Sequence, residues 1–349
     1  MVSLEVVHAS NARLKELGPG LVALFVGATS GIGEYTAKAF VHNAISPRVY
    51  IVGRNQDAAN RIIKECETAN KDGKVEFIKA DVSELSEVDR VCKEIAKKEK
   101  HLNLIFQTQG NLNLRGRDES SEGLDRKMAL NYYSRMRFIS NLLPLLRTAT
   151  TTPPHFSRSV SVLGSGGGTA LDTADLDLKN TFTGSRCAGH TITMNDLMTT
   201  EFAQRESGIT FSHCAPGAVK TNLARELPFW ARTATKVLYQ LITPLTVGQD
   251  ETGARQLFMA TSGIYPPSKP VEGAASASGV SPDKTIEVTK GASGSVGDGG
   301  YNLTWKGGVT NGKMLPEYRQ NGVSKTVWEH TMNVFARVEK INQERGNVK

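Results

Sequence analysis

The stretch Leu21-Val22-Ala23-Leu24-Phe25-Val26-Gly27-Ala28-Thr29-Ser30-Gly31-Ile32-Gly33 decides the fold. Its first six residues are a short unbroken apolar run, the pattern of a strand buried on both faces of a parallel sheet. Gly27 stops the run, and after Gly33 the pattern turns helical, with Tyr35, Ala39 and Phe40 on one side. Glycines between a strand and a helix let the backbone bend sharply and approach a pyrophosphate, whose charge is met by free N–H groups at the helix start. In a chain with 33 glycines the spacing alone is weak evidence, so the placement between strand and helix carries the weight.

The same alternation continues outward. The apolar run Val49 to Val52 and the segments Val75 to Ala80, Leu102 to Phe106, Ser159 to Leu163 and Ile209 to Cys214 read as strands. Helical patterns fall between them at about Asp57 to Thr68, Ser86 to Lys98, Leu124 to Leu146 and Cys187 to Gln204. This predicts an α/β fold: a Rossmann-type doubly wound parallel sheet in three αβα layers, forming a single domain. Residues 1–20 are expected to be a helical extension and residues 21–262 the sheet domain. Residues 263–349 are expected to hold a Gly-rich loop, a hairpin near Tyr301 to Trp305 and a C-terminal helix packed on the same domain. The loop is either a surface excursion or a partial cover over the cleft. In the tail from Val323 to Ile341, Val327, Trp328, Met332, Phe335 and Val338 recur at helical spacing, a stripe for core packing.

Composition narrows the class. With 349 residues, 39% hydrophobic and 42 Lys+Arg against 35 Asp+Glu, the chain is too apolar and too evenly charged for disorder. Length alone allows one domain or two, and the lack of a compositional break between residues 20 and 260 favours one. The four cysteines, Cys66, Cys92, Cys187 and Cys214, show no zinc or redox spacing, so no metal is expected. They suit a reducing compartment. The start carries Glu5, Arg13, Lys15 and Glu16 and lacks the apolar core of a signal peptide, and no run is long enough to span a membrane. The expectation is a cytoplasmic protein without a transmembrane segment. The net charge of +7 is spread along amphipathic segments rather than massed, so no nucleic-acid partner is expected and an anionic cofactor is served.

Arg54, in Val52-Gly53-Arg54-Asn55, falls just past the second strand, where an acidic residue would hold the ribose hydroxyls of NAD. An arginine there pairs with a 2′-phosphate instead, which points to NADP(H). Asp81-Val82 follows the third strand and Gly110 the fourth, both at the carboxyl edge of the sheet where ligands bind.

The order and spacing of GATSGIG at Gly27 to Gly33, Asp81-Val82, the turn Gln107-Thr108-Gln109-Gly110, Asn131 in LNYYSRMRF and Pro216-Gly217-Ala218-Val219-Lys220-Thr221 resemble the short-chain dehydrogenase/reductase superfamily. The match covers residues 20 to 262 and is most similar to the retinol-dehydrogenase-like and fungal secondary-metabolite branches. The resemblance implies NADP(H) lying across the strand ends, held by Gly27, Ser30, Gly31, Ile32, Gly33, Arg54, Asp81, Val82, Gly110 and Asn131. It implies that Val219 and Thr221 contact the nicotinamide amide, that Asn131 helps hold a water chain, and that the chain forms a homodimer.

In that superfamily a tyrosine and a lysine four residues apart complete hydride transfer, assisted by a serine: the tyrosine gives the proton and the lysine lowers its pKa. Two anchors, Asp175-Leu176-Asp177-Leu178 upstream and Thr200-Glu201-Phe202-Ala203 downstream, place Ala188 at the tyrosine and Ile192 at the lysine. Neither side chain carries an ionisable proton, so the ordinary relay cannot operate. His190 titrates near neutrality and is the nearest substitute, although positions two apart on a helix do not share a face. Ser165 in Leu163-Gly164-Ser165-Gly166 is the serine candidate, one residue off strict alignment at Gly164. Tyr132 and Tyr133 are further hydroxyls, with packing against a neighbouring helix as the plainer role. Glutamines at Gln107 and Gln109 either bond a substrate carbonyl or fill space.

Leu227 to Leu245 is apolar, with Phe229, Trp230, Val237, Leu238, Leu241 and Ile242. It reads as a substrate lid over about 222–248, suited to a bulky hydrophobic small molecule; shallow membrane contact through Trp230, Arg232 and Lys236 is the alternative. Three functions follow. The first is an NADP(H)-dependent oxidoreductase for a hydrophobic alcohol or ketone, in secondary-metabolite biosynthesis, with a non-standard proton donor. The second is a non-redox cyclase or isomerase on the same scaffold, and the third a nucleotide-sensing protein without catalysis.

Overall fold

The computed structural model describes residues 2–111, 115–219, 233, 246–282 and 286–346. The strands are β1 (Val22–Val26), β2 (Arg48–Gly53), β3 (Lys74–Lys79), β4 (Leu104–Gln107), β5 (Arg158–Val162), β6 (Thr210–Cys214) and β7 (Gly300–Leu303). The helices are α1 (Leu4–Ala12), α2 (Gly31–Asn43), α3 (Gln56–Ala69), α4 (Leu85–Lys98), α5 (Arg126–Met128), α6 (Ser134–Thr151), α7 (Gly184–Arg205), α8 (Gln249–Thr261), α9 (Leu315–Gln320) and α10 (Val323–Gly346). The strands form one parallel sheet in the order β3-β2-β1-β4-β5-β6-β7. Strand order reverses between β1 and β4, which leaves a crevice beyond their carboxyl ends.

The apolar run that opens the sheet explains its two faces. Successive side chains of a strand point to opposite sides. Val22, Leu24 and Val26 enter a core shared with α4, α6, α7 and α10, while Ala23 and Phe25 enter the core under α2 and α8. Phe25 meets Phe40 and Phe106 at 5.7 and 5.5 Å between ring centroids. All five β1 residues are buried, so a polar residue on either face would be stranded.

Two elements depart from the expected pattern. The hairpin expected near Tyr301 to Trp305 is present as a short reversal, with Leu303 bridged antiparallel to Val309 and the Thr304 and Thr310 N–H groups donating to the Gly308 and Asn302 carbonyls. Its first arm, Gly300–Leu303, is also a seventh parallel strand, paired with β6 from Phe211↔Gly300 to Cys214↔Leu303. The edge backbone of β6 is satisfied this way, and Tyr301 is buried with its hydroxyl donating to the Pro266 carbonyl. The helix expected over Leu124 to Leu146 is interrupted. Asp125 caps α5 by accepting from the Lys127 and Met128 N–H groups, and a π-turn over Ala129–Tyr133 precedes α6. Such a turn widens the backbone and frees a carbonyl, often beside a functional site.

Helix α10 covers α6 and α7. Val327, Phe335 and Val338 are buried there. Trp328 meets Phe202 edge-on at 5.1 Å beneath the Arg205 guanidinium at 3.9 Å. The Tyr132 hydroxyl reaches Thr331 Oγ1 at 2.6 Å and the Tyr133 hydroxyl His330 Nε2 at 2.8 Å, so both tyrosines serve this packing. All four cysteines are buried and free. Among the described residues, no helix is long and apolar enough to cross a membrane and no group of His, Cys, Asp or Glu could hold a metal ion.

Candidate active site

A cleft of about 320 Å³ lies at the carboxyl ends of β1 to β5. One end is lined by Gly53, Arg54, Ala80, Asp81 and Val82. Gly27, Thr29, Ser30 and Ile32 line its middle, and Leu130, Asn131, Val162, Leu163, Ala188 and Pro216 its far end, with Arg135 beneath. The turn after β1 is tight for a stated reason. A Cβ on Gly27, whose φ is +78°, would lie 2.6 Å from the Gln109 backbone N, and one on Gly33 would lie 2.5 Å from Thr108 Oγ1 and 2.8 Å from Ala28 Cα. The absent side chains let α2 begin directly against β1 and β4. Ser30, the residue before α2, makes no side-chain cap, so the helix N–H groups are left to an anion. At the far side of the turn Arg54 Nη1 stands 3.9 Å from Asp81 Oδ2, and Asp81 accepts from the Ser83 N–H and hydroxyl.

The structure thus brings Gly27, Ser30, Ile32, Arg54, Asp81, Val82, Gly110 and Asn131 together along one cleft, with Gly31 and Gly33 in the turn and helix start behind it. Val219 lies buried past β6, bridged to Val247, and is not among the lining residues. Thr221 and nearly all of the segment about 222–248 lie outside the described residues.

Ala188 lines the cleft. Ile192, one turn on, packs against the end of β5, its Cδ1 2.8 Å from where a Cβ on Gly164 would be. The two candidate substitutes are placed elsewhere. His190 points off the opposite side of α7, where its Nε2 accepts the Asp172 backbone N–H at 3.2 Å, and burial holds its pKa below the usual value. Helical geometry causes this, because 200° separates positions two apart. Ser165 is also not among the lining residues. Its hydroxyl donates to Asp196 Oδ1 at 2.8 Å, the Gly166 N–H donates to Asp196 Oδ2 at 3.1 Å, and His213 Nδ1 lies 2.7 Å from the same carboxylate. This buried network fixes the loop after β5.

Asn131 lines the cleft, and its backbone carbonyl is tied to α7. The Asn195 side-chain amide donates to the Asn131 carbonyl at 2.9 Å and, on its other side, Asn195 Oδ1 accepts from the Ser161 hydroxyl at 3.0 Å. The residues missed from the sequence are Arg135, Asn195 and Asp196. Their signal was available as polar residues on the inward sides of otherwise core-forming helices, Arg135 four after Asn131 and Asn195 seven after Ala188. Gln109, at the cleft, donates to Gln107 Oε1 and Ser134 Oγ, and its own Oε1 is buried without a protein partner.

A parallel αβα sheet with a glycine turn, an uncapped helix start and a cleft at the strand reversal defines a dinucleotide-binding class of protein. Within that class the chain belongs to the short chain dehydrogenase family, whose profile matches residues 21–231. It is 40% identical over 338 residues to oxidoreductase AN1596 of Emericella nidulans, covering 96% of this chain and 98% of that protein. It is 35% identical to oxidoreductase andH of Emericella variicolor, covering 97% and 98%. Among solved structures, the Pseudomonas aeruginosa RhlG/NADP active-site complex aligns with a TM-score of 0.51 at 21% identity, over 69% of this chain and 89% of that one, a likeness of fold.

Proposed function

We propose that the protein is an NADP(H)-dependent oxidoreductase acting on a bulky hydrophobic alcohol or ketone of secondary metabolism. One observation carries this: Arg54, the glycine turn and Ala188 all line one cleft at the carboxyl ends of the strands, where a dinucleotide would lie with its substrate at the Ala188 end. The relatives' names, oxidoreductase in both cases, support the class. The bound dinucleotide supplies or receives a hydride. The chain's own residues hold it: the α2 N–H groups meet the pyrophosphate, Arg54 the 2′-phosphate, and Asp81 with Val82 the adenosine end.

At the reacting end neither Ala188 nor Ile192 can give a proton, and Ser165 and His190 stand off the cleft. We therefore assign the proton to water admitted at the far end of the cleft. Without a positioned acid this step costs on the order of 10²–10⁴ in rate. The same observation favours a second reading, a cyclase or isomerase that keeps the nucleotide as scaffold and works by shape and preorganised dipoles.

The test is incubation of purified protein with NADPH and a series of hydrophobic ketones, following reduced-nicotinamide absorbance and product together. Loss of NADPH matched one-to-one by alcohol supports the oxidoreductase. Turnover with no loss of NADPH overturns it in favour of the second reading, and failure to bind the nucleotide overturns both.

A further inference from the structure

The floor of the cleft holds a cation that no carboxylate among the described residues balances. Arg135, in the first turn of α6, is fully buried and lies beneath the far end of the cleft. Its Nε donates to the Leu130 carbonyl at 3.2 Å, its Nη1 to Ser161 Oγ at 2.8 Å and the Val162 carbonyl at 2.9 Å, and its Nη2 to the Gln109 carbonyl at 2.5 Å. Every partner is a neutral oxygen. Among the described residues no carboxylate stands within ion-pair distance of it, and the buried Asp196 is committed to Ser165, Gly166 and His213. Burial with nothing to offset it pushes the guanidinium down to about 9, which leaves it charged at neutral pH.

Position along the cleft gives this charge a consequence. If Arg54 and Asp81 mark the adenosine end and the glycine turn the pyrophosphate, the nicotinamide ring falls at the end where Leu130, Asn131 and Ala188 sit above Arg135. The oxidised ring is a cation and the reduced ring is neutral. A fixed positive charge in a poorly solvated site raises the free energy of the bound oxidised ring and leaves the reduced ring nearly untouched.

We propose that Arg135 makes the cleft select the reduced dinucleotide and expel the oxidised one, so that the protein works as a reductase loaded with hydride donor. The inference rests on the dinucleotide reading above. In that direction the hydride leaves the reduced ring for the carbonyl carbon, the ring becomes the cation, and the oxygen takes a proton from water. The overall equilibrium of the reaction is unchanged. What the guanidinium sets is which form occupies the cleft and how fast the spent form leaves.

The test measures the dissociation constants of NADPH and NADP+ for the wild-type protein, Arg135→Met, Arg135→Lys and Arg158→Met. Arg158 is the control: it too is a buried arginine bonded to carbonyls, those of Ser262 and Ser278, but it lies at the opposite end of β5. Wild type should bind the reduced form more tightly, and Arg135→Met should shrink that ratio by about 10–100-fold, the effect of one charge roughly 6–12 Å away at an effective dielectric near 20. Arg135→Lys should keep most of the ratio, and Arg158→Met should lower stability with the ratio intact. A folded Arg135→Met with an unchanged ratio, or with both affinities reduced equally, overturns the inference alone. Absence of binding by wild type overturns it together with the dinucleotide reading. Should Arg135→Met fail to fold, wild type decides through 2′-phospho-ADP-ribose, which lacks nicotinamide. NADP+ binding more weakly than this probe and NADPH more tightly supports the inference, whereas NADP+ binding as tightly as the probe or tighter overturns it.

Discussion

The Ser165 hydroxyl donates to Asp196 Oδ1 at 2.8 Å, and the bond holds the serine in a buried network with His213 and not at the cleft. A charge-assisted hydrogen bond of this kind contributes about 1.5–3 kcal/mol. Ser165→Ala is therefore expected to lower unfolding free energy in urea by about 1–3 kcal/mol while nucleotide binding and turnover stay within about threefold. Asp196→Ala, which also strips His213 and the Gly166 N–H, should cost about 3–5 kcal/mol. A hundredfold loss of turnover in a stably folded Ser165→Ala would return the serine to the reacting centre.

Building a tyrosine–lysine pair at Ala188 and Ile192 tests the proposed register on α7. Ala188 lines the cleft, and Ile192 follows it by one turn at the end of β5. Ala188→Tyr with Ile192→Lys should raise carbonyl reduction by a factor on the order of 10²–10⁴, with Ala188→Tyr alone giving much less, since the lysine is what lowers the tyrosine pKa. A double variant that folds and binds NADPH with no gain would show that this helix does not present these positions to the nicotinamide.

Arg54 is expected to govern the choice between dinucleotides. It is about half exposed and lies 3.9 Å from Asp81, within reach of a 2′-phosphate at the adenosine end. Arg54→Ala should weaken NADPH by roughly 10–100-fold, the worth of about 1.5–3 kcal/mol for a charged hydrogen bond, and leave NADH within a few-fold. Equal weakening of both, measured by fluorescence titration, would assign Arg54 elsewhere.

The histidines set the response to mild acid. Burial lowers the pKa of His101, His190 and His330 below the ordinary value in the folded state. The unfolded chain then takes up protons first as pH falls below about 6.5, so stability is fully present above that value and declines toward the lower folded pKa values. Urea unfolding at pH 7.5, 6.5 and 5.5 should show that decline, and His330→Gln should flatten it while removing the Tyr133 contact at every pH. A flat profile for the wild type would mean that these rings are solvated.

The sheet was legible in the sequence because burial on both faces demands apolar runs, which β1, Val49 to Val52 of β2 and Leu104 to Phe106 of β4 carry, and because strand and helix patterns alternate regularly around them; β3, β5 and β6 mix polar residues in and were legible mainly by that alternation. The glycine turn was legible for a related reason: backbone packed against backbone tolerates no Cβ, and that prohibition is written as glycine. Edge strand β7 was not, since Gly300-Tyr301-Asn302-Leu303 has no run of its own and becomes a strand only by satisfying β6. The break at Ala129–Tyr133 was hidden in the same way, because a bond that engages it, from the Asn195 amide to the Asn131 carbonyl, spans 64 residues.

The candidate site divides along the same line. The sequence by itself determined the family, and it carries the glycine turn after β1 and the non-ionisable Ala188 and Ile192 on α7, all of which are properties of local spacing. Only the tertiary structure decided that Ser165 belongs to Asp196, that His190 faces away and that Arg135 sits uncompensated beneath the cleft. Those facts depend on which distant groups share one desolvated volume, and in such a volume a hydrogen bond or a charge acquires an energy that no spacing along the chain records.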